Sequence, residues 1–401
     1  MTSVHIDKVV YGGSGLGRLP DGRAVFVPFT APGDDADIEV VTEHPRHAEA
    51  TLRKLRSASV ERDTPRCPHF EQCGGCQYQH IKYPAQVRIK RDQLTETLQR
   101  LGQLRELPPV SEPIPSPQPF NYRSKLSLHR FENEHGRPQF GFATRDGTAS
   151  FTPQECHLPL PRLWKYAQAQ LANFAEHPET IPAEAQRITV RAPGEGDCFH
   201  FFDRGTAQTD WLTEVVGNRR FAVPPGAFWQ VNPGILPSLI DIVQNWIGDG
   251  GRSLVDAYGG VGLFSVMCGA AYAERTVIET NRQALRAARQ NHETLTSGVT
   301  RYLPMPAEVA LKKSLQKNRR NLPATTVLLD PPRAGCAPEV LHALTALKPR
   351  RIVYVSCDPA TLARDLRKLT QAGNYRIQRL AILDMFPQTA HFETVALLDQ
   401  N

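Results

Sequence analysis

No stretch of the chain approaches the ~18–20 consecutive apolar residues needed to cross a bilayer, so no membrane-spanning role is expected. The opening MTSVHIDKVV lacks the features of a signal or transit peptide. A cytoplasmic location is therefore expected, with no membrane partner. Charge of one sign is not in excess: 47 Lys and Arg against 41 Asp and Glu leave a formal net charge of +6. That modest basicity is compatible with a polyanionic partner and equally with a slightly basic metabolic enzyme. Internal repeats and low-complexity segments are absent, which excludes a solenoid or a disordered linker protein.

Hydrophobic residues make up 40% and charged residues 22%, values of a soluble globular protein. With 401 residues the chain exceeds one ordinary core, so two or three domains are expected. Of its 33 prolines, many crowd between Pro108 and Pro119, a stiff extended connector. In a reducing compartment the eight cysteines point to ligand or catalytic roles rather than disulfides.

Three textures follow one another. Residues 1–58 carry short strand-like runs broken by Gly, Pro and Asp, which predicts a small β-barrel. Residues 59–222 contain a cysteine-rich segment, a helix near 84–103, a helix over 161–176 and several strands, an α/β mixture with an antiparallel sheet. From 223 to 401, apolar β-runs such as SLVDAYG, RTVIET, TTVLLD and RIVYVSC alternate with helical segments. That alternation predicts a parallel, doubly wound α/β sheet, whose ligands gather at the carboxyl ends of the strands.

Four motifs fall at such strand ends or near the C-terminus. Asp256–Leu263 (DAYGGVGL) is a glycine-rich turn, and the next strand ends in Glu279, which is placed to bind ribose hydroxyls. The pattern is GxGxxS rather than GxGxxG, so an adenosyl ligand without a pyrophosphate fits better than a dinucleotide; S-adenosylmethionine is the expected cofactor. Asp330 opens DPPR, where two prolines fix its aim toward a base or a cofactor. Cys357 in SCDP precedes a helix whose dipole favours a thiolate, making it a nucleophile candidate against the blander reading of a buried structural cysteine. Glu393 in HFETV is a candidate general base, with His391 beside it.

A separate set, Cys67, Cys73 and Cys76 (C-x5-C-x2-C) with the distant Cys156, suits either tetrahedral zinc or a [4Fe–4S] cluster. Cys198, Cys268 and Cys336 fit no ligand spacing and are expected to be packing residues.

These motifs together resemble the RNA uracil-5-methyltransferase family, which forms 5-methyluridine. CPHFEQCGGCQYQH, QECHLP, YRSKL (122–126), FWQVNP (228–233), DAYGGVGLF, VIET, DPPR, SCDPATLARD and HFETV occur in the family's order over nearly the whole chain. The resemblance implies a TRAM-like RNA-binding barrel over 1–58, a central domain with a [4Fe–4S] site over 59–222, and a class I S-adenosylmethionine-dependent methyltransferase domain over 223–401. It implies that Cys357 adds to carbon 6 of uracil and that Glu393 removes the carbon 5 proton. Gln230, Tyr258, Glu279 and Asp330 match cofactor positions, and Cys67, Cys73, Cys76 and Cys156 match the cluster, preferred to zinc. A folded RNA would have to unstack the target base. Its expected substrate is 23S rRNA in preference to tRNA, and a monomer is expected. The chain departs from the common pattern at Gly259, Leu263 and Asp358, and Asp358 is expected to turn away from the sulfur to cap the helix it precedes. Two rival readings are a non-catalytic iron–sulfur RNA-binding protein and a methyltransferase acting on cytosine or on a quinone-like molecule.

Overall fold

A computed structural model describes residues 2–204, 210–248, 251–317, 319–371 and 373–401. Among them, no helix is long and apolar enough to cross a membrane. Strands β1 (Thr2–Val9), β2 (Ser14–Arg18), β3 (Ala24–Pro28), β4 (Asp35–Glu43) and β5 (His47–Ser57) close into a barrel of order β1-β2-β3-β5-β4. Alternate residues point inward, as the two-residue period of a strand requires: Val4 and Ile6, Val25 and Val27, Ala48 and Ala50 fill its core.

Helix α1 (Tyr83–Arg100) follows, with proline in its first turn and Leu94 and Leu98 on its buried face. Those two leucines pack into the C-terminal core, so α1 lies against the last domain. Strands β6 (Lys125–Glu132), β7 (Pro138–Ala143) and β8 (Ser150–Phe151), helix α2 (Pro161–Glu176), and strands β9 (Arg187–Arg191) and β10 (Phe199–Phe202) come next. Their strands make the expected antiparallel sheet, in the order β10-β9-β6-β7-β8. The hairpin β11 (Leu212–Val216) and β12 (Arg219–Val223) buries Leu212, Val216, Phe221 and Val223 in the C-terminal core.

Beyond it run α3 (Leu236–Ile247), β13 (Ser253–Ala257), α4 (Leu263–Met267), β14 (Glu274–Ile278), α5 (Arg282–His292), β15 (Val299–Leu303) and α6 (Ala307–Lys317). The chain finishes with β16 (Thr325–Leu329), α7 (Pro338–Leu347), β17 (Arg351–Ser356), α8 (Pro359–Gln371), β18 (Tyr375–Leu383) and β19 (Glu393–Gln400). The sheet order is β15-β14-β13-β16-β17-β19-β18. Every residue of β13 and β16 is buried, as expected of strands covered on both faces by helices.

The sheet is not wholly parallel: β19 runs antiparallel to both β17 and β18. The connector 384–392 explains this, because a parallel return needs a crossover of a dozen or more residues. The reversal positions the site. The carboxyl ends of β13, β14, β16 and β17 open on one edge, and antiparallel β19 brings its first residue, Glu393, to that same edge, with Thr394 opposite Ser356.

Candidate active site

One cavity of about 840 Å³ lies at that edge, lined by Gln230, Tyr258, Glu279, Asp330, Cys357 and Glu393 among others. These are the two catalytic candidates and the four cofactor candidates. They come from six separate segments, five of them at strand ends of the sheet.

The glycine turn after β13 is shaped by close approach. A Cβ on Gly259 would lie 2.7 Å from Val277 Cγ1 and 3.1 Å from the Asp256 carboxylate. Gly262 begins α4 with φ +84°, and a Cβ there would lie 2.8 Å from the His292 ring. Tyr258 holds the left-handed conformation (φ 66°), a costly one for a bulky residue, and lines the cavity while packing against the core. Gly260 N–H donates to Glu279 Oε2 at 3.0 Å, and Asn281 N–H to Oε1 at 2.7 Å, which fixes the Glu279 carboxylate at the end of β14. Leu263 is buried in the core and is not a lining residue.

Glu393 and Asp256 are buried, and Asp330 and Cys357 are partly so. Burial, then the neighbouring Asp256 carboxylate, pushes Asp330 up to about 7. Burial, reinforced by Asp330 and opposed by Arg333, holds Glu393 well above the usual carboxylate range. Asp256 beneath the turn is 1% exposed and raised to about 6, chiefly by burial. Burial raises the Cys357 thiol to about 12; Glu393, Asp330 and Asp358 add to the effect and the Arg333 guanidinium opposes it. His391 is lowered to about 4 by burial and then by Arg333, and it packs edge-on against Phe386 and Tyr11 instead of lining the cavity.

Asp358 caps the helix it precedes, as expected. Its Oδ1 accepts from Ala360 N–H at 3.0 Å and Thr361 N–H at 2.9 Å, capping α8.

Arg123, Lys125 and Ser127 also line the cavity. Their two-residue spacing in YRSKLS puts them on one face of an extended chain, a signal the sequence reading passed over. Arg333, Phe228 and Phe386 complete a mouth in which cations and aromatics face the acids. Phe228 is 67% exposed, unusual for a side chain of its size.

A second cavity of about 410 Å³ is lined by Cys67, Cys73, Cys76 and Cys156. The CGGC turn is fixed by Gly74 N–H donating to Ala143 O (3.1 Å), and Cys156 enters from beyond β8. Backbone and amide donors face two of the sulfurs: Gly75 N–H to Cys73 Sγ at 3.4 Å and Gln79 Nε2 to Cys76 Sγ at 3.3 Å. Burial raises all four thiols, Cys156 to about 12. Among the described residues, the metal-type ligand atoms that converge in threes within 4.8 Å are those of His44, His47 and Glu49 on the barrel, not the sulfurs. The cysteine sulfurs are thus spread wider than the ~3.8 Å edges of a zinc tetrahedron built on ~2.3 Å bonds. Arg123 and Ser127 line both cavities, so the two are neighbours. Cys268 and Cys336 are buried in the hydrophobic cores, and Cys198 packs at the edge of the central one.

A β-barrel joined through an antiparallel sheet to a doubly wound α/β domain, with a lined cavity at its strand ends, is an architecture shared with RNA-modifying methyltransferases. Family models agree: one described as tRNA (Uracil-5-)-methyltransferase matches residues 207–401, and one described as TRAM domain matches residues 3–52. An RNA methyltransferase of Gloeobacter violaceus is 31% identical over 100% of this chain and 96% of its own. One of Thermosynechococcus vestitus is 30% identical over 98% of this chain and 97% of its own. The chain belongs to the RNA uracil-5-methyltransferase family, with a TRAM domain and an S-adenosylmethionine-dependent methyltransferase fold. A Pyrococcus abyssi tRNA (uracil-54, C5)-methyltransferase in complex with S-adenosyl-L-homocysteine shares the fold, with TM-score 0.74, 24% identity, and coverage of 98% of this chain and 100% of that one.

Proposed function

We propose that the protein methylates carbon 5 of a uridine in 23S rRNA through a covalent adduct between Cys357 and carbon 6. The observation that carries this reading is that Cys357, Glu393, Asp330, Glu279, Gln230 and Tyr258 line one cavity.

The chemistry follows from the residues. Carbon 5 of uracil is a poor nucleophile. Addition of the Cys357 thiolate to carbon 6 moves the double-bond electrons toward oxygen 4 and makes carbon 5 enolate-like. S-adenosylmethionine supplies an electrophilic methyl group and a sulfonium charge. Once carbon 5 is methylated, Glu393 takes its proton, the electrons restore the carbon 5–carbon 6 double bond, and the carbon 6–sulfur bond breaks to free Cys357. In the ligand-free site burial holds the proton on the Cys357 thiol and shifts the Glu393 carboxyl in the same upward direction. Positive charge favours loss of both protons, and Arg333 already acts in that direction. Glu279 is assigned to ribose hydroxyls, Gln230 and Tyr258 to the cofactor, and Asp330 to the cofactor or the uracil.

The four lining cysteines would hold a [4Fe–4S] cluster in preference to zinc; their wider spacing supports this, and the role assigned to it is structural. The division into 1–58, 59–222 and 223–401, a cytoplasmic location and a monomeric state belong to the same proposal. tRNA is the second reading, favoured by the name of the matching family model. Incubation with labelled S-adenosylmethionine and either 23S rRNA or tRNA transcripts, followed by nucleoside analysis, tests the choice. Labelled 5-methyluridine from rRNA alone is expected; label from tRNA alone would reverse the substrate assignment, and no 5-methyluridine from either would remove the function.

A further inference from the structure

We propose that Tyr11, a residue of the barrel, is a positioning residue of the methyl-transfer centre, holding Asp358 and the loop that carries Cys357. This rests on the reading of Cys357 given above. Tyr11 lies in the turn between β1 and β2, 347 positions from Asp358, and its hydroxyl donates to Asp358 Oδ2 at 3.3 Å. The two oxygens of Asp358 are thereby divided, Oδ1 to the start of α8 and Oδ2 to the barrel. Anchored at both oxygens, the carboxylate next to the nucleophile is kept from swinging onto the sulfur, where its charge would oppose a thiolate. The Tyr11 ring also stands edge-on to His391 (6.4 Å) and Phe392 (6.0 Å), the residues that lead into Glu393. One barrel side chain therefore touches the neighbours of both reacting groups.

The turn is built to reach there. Gly12 and Gly13 have φ +99° and +100°, and a Cβ on Gly13 would lie 2.7 Å from Gln77 Cβ, so glycine lets the turn press on the cysteine segment. Gln93 Nε2 donates to Val9 O at 2.9 Å, and Lys8 pairs with Glu96 at 2.6 Å, docking β1 on α1. The charged groups acting on Cys357 are Glu393, Arg333, Asp330 and Asp358; those acting on Tyr11 are Asp358, Arg333 and Cys357.

The test is the rate of covalent adduct formation by the full-length protein with 5-fluorouridine RNA, at saturating RNA and S-adenosylmethionine, across the neutral and alkaline range. At 3.3 Å the hydrogen bond is longer than the usual O–H···O contact and therefore weak, so Tyr11→Phe should slow adduct formation by about threefold. It should move the rising limb of the pH–rate profile to higher pH while leaving RNA affinity unchanged. Asp358→Asn keeps the cap and removes the charge; it should move the limb to lower pH and make Tyr11→Phe silent in its background. If Tyr11→Phe does not fold, the Asp358→Asn limb decides alone: movement to lower pH supports the proposal and no movement overturns it. An unchanged rate and limb in Tyr11→Phe, or a loss confined to RNA affinity, would also overturn it. Wild-type protein that forms no adduct removes the Cys357 reading and this proposal with it, whereas a wild-type adduct unaffected by Tyr11→Phe removes the proposal alone.

Discussion

Lys90 and Asp384 form a buried ion pair, with Nζ 2.6 Å from Oδ1 and side-chain exposures of 1% and 2%. Lys90 also donates to Phe386 O at 3.1 Å. The pair ties α1 to the connector that places Phe386 at the cavity and leads into Glu393. Three further hydrogen bonds hold the same connector: Gln388 O accepts from Gln77 N–H and Tyr78 N–H at 3.0 Å, and Tyr122 Oη donates to Pro387 O at 3.0 Å.

Removing one member of such a pair leaves a buried charge unpaired. Lys90→Met should cost about 3–5 kcal/mol, and Lys90→Met with Asp384→Leu should recover most of it. Urea unfolding of the single and double variants measures this. A single variant as stable as the parent would mean that the connector is not held through this pair.

Glu393 is assigned to the last proton removal, after the carbon–sulfur bond has formed. Glu393→Gln should therefore accumulate a methylated covalent complex on ordinary uridine RNA, visible as a retarded band in denaturing electrophoresis. Free 5-methyluridine released at the parental rate would take the base role from Glu393.

Glu279, the residue proposed to bind ribose hydroxyls, is fixed by Gly260 and Asn281 N–H donors. Glu279→Ala should weaken S-adenosylmethionine binding by roughly tenfold or more, since hydrogen bonds to a charged group contribute about 1.5–3 kcal/mol. Calorimetric titration reads the change, and RNA affinity should be unaffected.

Asp256 carries a raised carboxyl, about 6 in the folded protein. A raised folded value means stability that is complete below the unfolded value and lost as pH rises through the folded one. The ligand-free protein should therefore lose stability between about pH 4 and pH 6, by roughly 3 kcal/mol at most from this group. Asp256→Asn should raise the melting temperature at alkaline pH and leave it little changed in acid. The reverse order would contradict the assigned direction.

Much of this organisation was legible in the sequence because it is local. Alternating apolar residues announced the barrel, and the strand-then-turn pattern placed Glu279, Asp330 and Cys357 at strand ends. The antiparallel turn of β19 was not legible from periodicity, which is blind to direction; the length of the connector was the usable sign. Lys90–Asp384 and Tyr11–Asp358 were out of reach because each joins residues some 300 positions apart, with no spacing rule to relate them. Arg123 and Lys125 share one face of the YRSKL run, a pattern readable from their two-residue spacing, but spacing alone does not show that this face meets the cavity.

The most direct measurement is a trap. RNA carrying 5-fluorouridine has no carbon 5 proton to lose, so an adduct formed in the presence of S-adenosylmethionine should persist. The expected result is a covalent RNA–protein complex whose crosslinked peptide contains Cys357, lost in Cys357→Ala. A complex that survives Cys357→Ala, or none with either 23S rRNA or tRNA fragments while S-adenosylmethionine binds normally, would contradict the covalent mechanism.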